Sequence, residues 1–429
     1  MLNRIRAWCD GLKYPRLLAF GLGLGAALFM TLVVWPHQNT VIRSDDPYSF
    51  SLLGQRIADG HGLAQLANPD LPSMRRAPLY PGVIGFLYLI GGPHTILVRL
   101  LQCLMAGGTA ALTYSIGKRM FSKQVGLLAA VLCAFHPMVV RYVPDIQVEC
   151  FLTFFMTLMV WCGVRFLDKP TIANGAALGA AGALGALVKG VLVVCPPVFA
   201  VFWLVRRLRR REPLQIASVA AIGVAMCIVI LPWTARNYKV TGGQFVLISV
   251  NAGGEFLRGY VFAQPKYYLL QQRPYVEGEL EANQMEIDLF KAQGLVWERD
   301  EAETERVVSK AAKEKLHGDP AGFVRKFFIG VFTFWYELTN RSNSLAIGSV
   351  ALVSWALAIF GWFRARAANI AVWPLLQPIL TVNLLYAVLL SLGRYSAPTI
   401  PTLMVLTSWG IVSVLQRGDR TPELAAQDR

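Results

Sequence analysis

The chain has 429 residues, of which 55% are hydrophobic and 16% are charged, and its mean hydropathy is +0.46. This composition excludes an ordinary soluble globular protein, in which about a quarter of the residues are charged, and predicts a polytopic membrane protein. The formal net charge of +15 lies in short segments between apolar runs, such as RRLRRR at 206–211. This placement indicates cytoplasmic loops that attract anionic lipid headgroups, and it argues against nucleic-acid binding.

The apolar runs predict about ten membrane-spanning helices, because a backbone in lipid must satisfy its own hydrogen bonds. The first is expected to be a retained helix, since no clear cleavage site follows it. The stretch 78–90 is too short to span and is expected to be interfacial or re-entrant. The spans are predicted at 17–35, 95–117, 124–142 and 150–167, as two short helices within 170–205, and at 214–233, 345–363, 370–392 and 396–416.

Charge placement orients these helices. If 95–117 runs inward, Lys118, Arg119 and Lys123 lie in the cytoplasm, as the positive-inside rule requires. The segments 36–94 and 143–149 then lie on the outer face. We therefore expect an N-terminal transmembrane module at 1–233, a large outer loop with an interfacial helix at 234–340, and C-terminal helices with a short cytoplasmic tail at 341–429.

Two other features are interpreted from composition. The run rich in glycine and alanine at 173–187 predicts close helix packing in lipid. The acidic run 277–305 is interpreted as a solvated helix face, with a lid over the site as the alternative. The seven cysteines lack a C-x-x-C pair and the five histidines lack metal-ligand spacing, so neither a disulfide framework nor a histidine metal site is expected.

Charged and polar groups gather at the predicted outer ends of helices. A charge at the membrane boundary is costly unless solvated or paired, which makes such residues functional candidates, although snorkelling explains any single cation equally well. Arginine pairs suit a lipid phosphate, and a carboxylate suits removal of a proton from a hydroxyl acceptor. A second acid could orient the acceptor or hold a divalent cation. The candidates are Asp45, Asp46, Arg75, Arg76, Asp145, Glu149, Lys189, Arg236, Arg394 and Tyr395.

Most of these residues lie in motifs whose order resembles the GT-C superfamily of membrane glycosyltransferases, and Lys189 lies outside the motifs. The resemblance is nearest to the bacterial branch, glycosyltransferase family 39/83-like, related to protein O-mannosyltransferases and to aminoarabinose or core-sugar transferases of lipopolysaccharide. The first motif is Asp46, Phe50 and Gly60-His61-Gly62, with phenylalanine where the family usually has tyrosine. Its spacing favours Asp46 over Asp45 as the family's catalytic aspartate.

The other motifs contain further candidates. Arg76 precedes Pro-Leu-Tyr-Pro, where relatives have a cation on the donor phosphate. Arg75 stands where some relatives place a metal-binding glutamate, so a metal is doubtful, although a divalent cation stays open as a cofactor. Glu149, with Asp145 as competitor, precedes an apolar helix. The last two motifs are Pro-Trp-x-x-Arg-Asn-Tyr at 232–238 and Arg-Tyr-x-x-Pro-x-x-Pro at 394–401.

The resemblance implies an all-α GT-C bundle that transfers a sugar from a polyprenyl-phosphate donor to a hydroxyl acceptor, with inversion. The acceptor would be lipopolysaccharide or lipid A, another cell-surface glycan, or a protein, at the periplasmic face of a bacterial inner membrane. Asp46 would be the general base and Glu149 would assist; Arg76 and Arg394 with Tyr395 would hold the phosphate, and Arg75, Lys189 and Arg236 are weaker candidates.

Two other classes of function stay open at this point. A transporter or flippase for lipid-linked substrates usually shows internal repeats and charges near the middle of the membrane, and neither is evident here. The other class is a non-catalytic membrane scaffold with the same fold. The retained Asp46 and its spacing to Gly60 argue against a scaffold.

Overall fold

The computed structural model describes Ala7 and residues 9–34, 46–268, 274–296 and 301–418, and this part of the chain is helical and contains no β-strand. A π-helical turn, Met30–Val34, continues α1, and 3-10 segments at Gly190–Val194 and Gly393–Thr399 precede α9 and α18. The helices are α1 (Pro15–Phe29), α2 (Asp46–Ala58), α3 (Leu79–Gly91), α4 (Ile96–Met120), α5 (Lys123–Ala134), α6 (Pro137–Val140), α7 (Glu149–Asp168), α8 (Ile172–Val188), α9 (Cys195–Arg209), α10 (Ile216–Val240), α11 (Ala252–Phe262), α12 (Pro265–Tyr268), α13 (Pro274–Lys291), α14 (Glu301–Gly318), α15 (Pro320–Thr333), α16 (Arg341–Ala367), α17 (Trp373–Val388) and α18 (Ile400–Gly418).

The chain is a multi-pass membrane protein. Within the described ranges, seven helical stretches are long and apolar enough to cross a bilayer, and shorter apolar helices accompany them. Three of the short helices, α5, α8 and α17, occupy predicted spans, so the prediction of about ten spans agrees with the structure. The seven long stretches are Pro15–Val34, Ile96–Met120, Glu149–Asp168, Gly190–Arg209, Ile216–Val240, Arg341–Ala367 and Gly393–Leu415.

Two predicted helices have the wrong bounds. The span 124–142 is not continuous, because the chain breaks at His136, whose Nδ1 accepts a hydrogen bond from the backbone of Met138 and caps α6. The helix predicted to end at Trp233 continues through Pro232 to Val240. Asn237 stabilises the extension, because its side-chain amide donates to the backbone carbonyls of residues 246 and 248 at 3.1 Å.

Close packing of α8 on α10 confirms the prediction from the run rich in glycine and alanine. A Cβ added at Gly175 would lie 2.1 Å from the carbonyl oxygen of Ser218, and one at Gly179 would lie 2.1 Å from that of Ile222. Only a hydrogen in place of a side chain lets the two backbones approach so closely. The absence of a side chain at Gly175 and Gly179 therefore sets the distance between the two helices.

The two ends of the bundle carry different groups. At one end, Arg119 in the last turn of α4 forms an ion pair with Asp168 at the end of α7, and Lys123 donates to the backbone carbonyls of Asp10 and Leu12. The opposite end of α7 begins with Glu149. The cations predicted to be cytoplasmic thus share one end, and the candidate site lies at the other.

The segment after α10 folds over the candidate site end. Helices α11, α13 and α14 share a small apolar core of Leu257, Phe290, Val308 and Ala312. The acidic run is not simply a solvated face, because Glu286 is buried against Arg258 and Glu305 accepts from the amide of Gly253. These carboxylates hold the covering helices together.

Candidate active site

Asp46 is the first residue of α2, and its carboxylate lies between two arginines. Its Oδ1 accepts a hydrogen bond from Arg76 Nη2 at 2.6 Å, and its Oδ2 accepts one from Arg394 Nη1 at 3.1 Å. An aspartate suits this position because the unpaired amides of a helix N-terminus favour negative charge. The three side chains are between 20% and 29% exposed, so the cluster opens to the surface.

The guanidinium of Arg76 packs against an aromatic cluster. Its guanidinium carbon lies 5.0 Å from the ring centre of Phe50, which is one helical turn after Asp46. Phe50 packs edge-on against Tyr80, whose hydroxyl donates to Gln102 at 2.8 Å. Phe50 therefore supplies a cation–π face for the Arg76 guanidinium.

Arg394 and Tyr395 lie on the 3-10 segment Gly393–Thr399, and Arg394 Nη2 donates to the Tyr395 hydroxyl at 3.3 Å. The segment is anchored at Gly393, whose amide donates to the carbonyl of Glu337 at 2.7 Å. A Cβ at Gly393 would lie 2.7 Å from the same oxygen, so only glycine allows this contact. The anchor brings Arg394 to Asp46, although the two residues are 348 positions apart.

The charges of this cluster act on its titratable groups. Burial alone would raise the pKa of Asp46, but the charges of Arg76 and Arg394 outweigh it and place the pKa well below its ordinary value. Burial, with a contribution from Arg394, lowers the pKa of Lys189 to about 8, although Glu149 opposes this shift. Asp46 is therefore ionised at neutral pH but is a weak base while both arginines hold it.

Glu149 and Lys189 lie next to this cluster. Glu149, in the first turn of α7, is 4% exposed. The Lys189 ammonium lies 4.0 Å from the ring centre of Tyr395 and 5.4 Å from that of Tyr386, and the two rings are stacked 4.3 Å apart. The structure thus groups four predicted elements, Asp46, Arg76, Glu149 with Lys189, and the Arg394-Tyr395 pair.

Asp145 lies in the turn before α7, where its backbone carbonyl accepts from Gln102 at 2.8 Å. Burial raises the pKa of Asp145 to about 6, Glu149 adds to the shift, and Arg141 opposes it. No described ion pair joins its carboxylate to Arg76, which holds Asp46. Asp45, the other competitor, lies outside the described residues.

Arg236 does not join the cluster. Its guanidinium donates to the backbone carbonyls of Ser73 at 2.8 Å and Leu63 at 3.0 Å, and it stacks over Trp233. These contacts tie the end of α10 to the loop between α2 and α3. The geometry therefore gives Arg236 a structural contact, and its predicted contact with phosphate stays a prediction.

Arg75 lines a small pocket beside the covering helices, together with Asn251, Glu301 and Glu305. Burial and the neighbouring Arg76 lower the pKa of Arg75 to about 10, and Glu286 opposes this shift. Arg75 and Arg76 are adjacent in the chain, but Arg76 pairs with Asp46 whereas Arg75 lies among the carboxylates of the covering helices.

A divalent cation does not fit beside Asp46 in this arrangement. Both carboxylate oxygens of Asp46 are engaged by guanidinium groups, and the preceding position in the Arg76 motif is the cation Arg75. Among the residues that the structure describes, no group of three or more His, Cys, Asp or Glu side chains is arranged to hold a metal ion.

Three residues near the site were missed by the sequence reasoning. Glu301 accepts from the hydroxyl of Ser73 and the amide of Met74, both at 2.8 Å, and so joins α14 to the loop that carries Arg76. Glu337 is a buried carboxyl beside Gly393, and burial raises its pKa well above the ordinary value. Tyr386 gave no signal in the sequence because it lies inside an apolar run.

Known proteins resemble this chain in sequence over a third of its length and in fold over nearly all of it. Residues 75–233 match the family described as dolichyl-phosphate-mannose-protein mannosyltransferase. That range includes Arg76, Glu149 and Lys189 but not Asp46 or Arg394. No curated protein matches the sequence significantly.

The solved structures of similar fold include membrane glycosyltransferases. An oligosaccharyltransferase from Archaeoglobus fulgidus, tethered to an acceptor peptide, aligns with a TM-score of 0.60 at 12% identity over 94% of this chain and 50% of that one. The same organism's AglB, in complex with an inhibitory peptide and a dolichol-phosphate, aligns with a TM-score of 0.57 at 13% identity over 94% and 51%. ArnT from Cupriavidus metallidurans bound to undecaprenyl phosphate gives 0.44 at 16% identity over 92% and 78%, a score too low to support an argument.

The chain spans about half the length of the oligosaccharyltransferases it matches, so the likeness concerns the fold. Their common architecture is the one predicted from the order of the motifs. The chain is therefore similar in fold to these membrane-bound oligosaccharyltransferases over nearly its whole length.

Proposed function

We propose that the protein transfers a sugar from a polyprenyl-phosphate donor to a hydroxyl acceptor at the periplasmic face of a bacterial inner membrane. The observation that carries this proposal is the Asp46 carboxylate between the guanidinium groups of Arg76 and Arg394. A carboxylate and a phosphate present similar pairs of oxygens to arginine, so the cluster that now holds Asp46 suits a lipid phosphate.

The charge of the site favours a monoanionic donor. Three cations, Arg76, Arg394 and Lys189, act on the single carboxylate of Asp46. A polyprenyl-phosphate sugar is a phosphodiester with one negative charge, and its phosphate would compete with Asp46 for the guanidinium groups. As the arginines move to the phosphate, Asp46 loses the charges that lower its pKa, so donor binding would strengthen the base.

The chemical step is a single displacement at the anomeric carbon. Asp46 accepts the proton of the acceptor hydroxyl while that oxygen forms a bond to the anomeric carbon from the face opposite the phosphate. The bond between the anomeric carbon and the phosphate oxygen breaks, and its electron pair leaves on polyprenyl phosphate. Arg76 and Arg394 stabilise the added negative charge, with Tyr395 positioning Arg394. The configuration at the sugar is inverted.

Two comparisons support this class of donor. The family that matches residues 75–233 is named for dolichyl-phosphate mannose, and the AglB structure contains a dolichol-phosphate. The acceptor proposed here is a hydroxyl of lipopolysaccharide or lipid A, of another cell-surface glycan, or of a protein. Asp145 and Arg75 are proposed as secondary contacts to the acceptor.

The test is a transfer assay with the purified protein in lipid vesicles and a panel of radiolabelled polyprenyl-phosphate sugars. We expect consumption of at least one donor, and its loss by a factor of about 100 or more in Asp46→Asn. Donor consumption that persists in Asp46→Asn would reject Asp46 as the base. Movement of labelled lipid across the vesicle bilayer without transfer would favour a transporter.

A further inference from the structure

Three polar groups beside the Asp46 cluster have no hydrogen-bond partner within the described part of the chain. Glu149 is 4% exposed and its Oε2 is buried without a donor, and Tyr386 is also 4% exposed with a buried hydroxyl that lacks a partner. The Lys189 ammonium contacts two aromatic rings but no described oxygen accepts from it. Buried polar groups in folded proteins are almost always satisfied, so these exceptions need an explanation.

The three groups belong to one neighbourhood. Lys189 lies over the stacked rings of Tyr386 and Tyr395. Glu149 is the strongest opposite charge acting on Lys189, and it also acts on Tyr386. Tyr395 in turn accepts from Arg394, which holds Asp46. A continuous path of contacts therefore leads from the phosphate-binding arginine to the unpartnered groups.

Lack of a partner does not by itself indicate a ligand. The hydroxyl of Tyr114 and one carboxyl oxygen of Glu337 are also buried without a described partner. Tyr114 lies on α4 toward the opposite end of the bundle, where it packs with Cys9 and Leu127. Glu149, Lys189 and Tyr386 differ from these because they supply an acceptor and two donors together, beside the Asp46 cluster.

We infer that Glu149, Lys189 and Tyr386 bind the sugar ring of the lipid-linked donor and select a neutral pyranose with free hydroxyls. This inference rests on the proposed function. The Glu149 carboxylate accepts hydrogen bonds from ring hydroxyls, whereas the Lys189 ammonium and the Tyr386 hydroxyl donate to sugar oxygens. Lys189 counters the charge of Glu149, so a cationic amino sugar gains little from the carboxylate and is repelled by Lys189 and Arg394.

This assignment gives Glu149 and Lys189 roles different from those expected from sequence. Glu149 becomes a specificity residue for the sugar, in place of an assistant to the base, and Lys189 contacts sugar in place of phosphate. Tyr386 is added to the site.

The test compares two ligands, undecaprenyl phosphate without a sugar and undecaprenyl-phosphate mannose or glucose. Binding of each is measured to wild type, Tyr386→Phe and Glu149→Gln in detergent micelles. We expect Tyr386→Phe to weaken binding of the sugar-bearing lipid about 5-fold to 10-fold and Glu149→Gln about 10-fold to 100-fold. Both variants should bind the sugar-free lipid as wild type does, which also shows that they are folded.

The matched control is Tyr114→Phe, which removes another buried hydroxyl without a described partner and should leave both affinities unchanged. Equal losses for the two lipids would assign Glu149 and Tyr386 to phosphate binding or to folding, and unchanged affinity for the sugar-bearing lipid would also overturn the inference. Tighter binding of a 4-amino-4-deoxy sugar donor than of the neutral donor would overturn the selection of a neutral ring. Failure of wild type to bind undecaprenyl phosphate at all would instead reject the proposed function.

Discussion

Asp46 and Arg394 form an ion pair of 3.1 Å across 348 residues of sequence. Arg76 completes the cluster on the other carboxylate oxygen at 2.6 Å. The three side chains come from the start of α2, the loop before α3 and the 3-10 segment before α18. The site therefore exists only when the N-terminal and C-terminal helices are packed together, and its carboxylate occupies the place proposed for the donor phosphate.

The first prediction concerns competition within this cluster. In Asp46→Asn the arginines lose their anionic partner, so we expect undecaprenyl phosphate to bind more tightly, by about 3-fold to 30-fold, while transfer is lost. The measurement is displacement of a fluorescent lipid phosphate from wild type and variant in micelles. Weaker binding by the variant would show that Asp46 organises the arginines instead of competing for them.

The second prediction concerns the geometry of Arg394. Arg394→Lys keeps the charge but loses the planar pair of donors that contacts Asp46 and Tyr395. We expect the affinity for the donor to fall about 10-fold to 100-fold. The control is Arg341→Lys at the exposed start of α16, which should leave affinity unchanged. Identical donor affinity in wild type and Arg394→Lys would remove Arg394 from the phosphate site.

The third prediction tests the contact between α14 and the loop that carries Arg76. Glu301→Gln should weaken the hydrogen bonds from Ser73 and Met74 and destabilise this contact by about 1–2 kcal/mol. The readout is amide hydrogen exchange at residues 73–76, which should become faster. Glu303→Gln is the control, since Glu303 is half exposed and its described ion pair is with Arg306 one turn away. Unchanged exchange in Glu301→Gln would contradict the contact.

The fourth prediction tests the packing of α8 on α10. Gly179→Ala places a methyl group 2.1 Å from the Ile222 carbonyl oxygen, so the helices must separate, at a cost of about 1–3 kcal/mol. Gly223→Ala, on the exposed side of α10 with open space around its Cβ, should be neutral or stabilising. Thermal denaturation in detergent distinguishes them, and equal melting temperatures would contradict the close approach.

The fifth prediction concerns pH and Asp145, whose pKa is raised from 3.8 to about 6 by burial. Between these values the folded state binds more protons than the unfolded state, so the stability contributed by this group falls as pH rises from about 4 to about 6. Above pH 6 the folded state carries the full cost of burying the ionised Asp145 carboxylate. Asp145→Asn should therefore be more stable than wild type at pH 7.5, by on the order of 1–3 kcal/mol, and equal to it at pH 4. The check is the melting temperature at both pH values; a wild type that is the more stable at pH 7.5 would refute it.

Much of the fold was accessible from sequence because membrane spans are a local property. A run of about 20 apolar residues must form a helix in lipid wherever it lies, and basic residues mark the cytoplasmic ends. Both kinds of pattern can be recognised without knowing which helices touch. The same charge pattern listed Asp46, Arg76, Glu149, Lys189 and Arg394 as candidates at one face. The order of the motifs gave the resemblance to GT-C glycosyltransferases.

Only the tertiary structure decided which of these charges meet. It paired Asp46 with Arg76 and Arg394, committed Arg236 to backbone carbonyls, and continued α10 past Pro232 because Asn237 finds carbonyl partners at residues 246 and 248. It also placed Tyr386, one apolar-run tyrosine among several, beside Lys189. Hydrogen bonds and ion pairs act over about 3–4 Å, so their partners depend on how distant helices pack, and hydrophobic pattern carries no information on that distance.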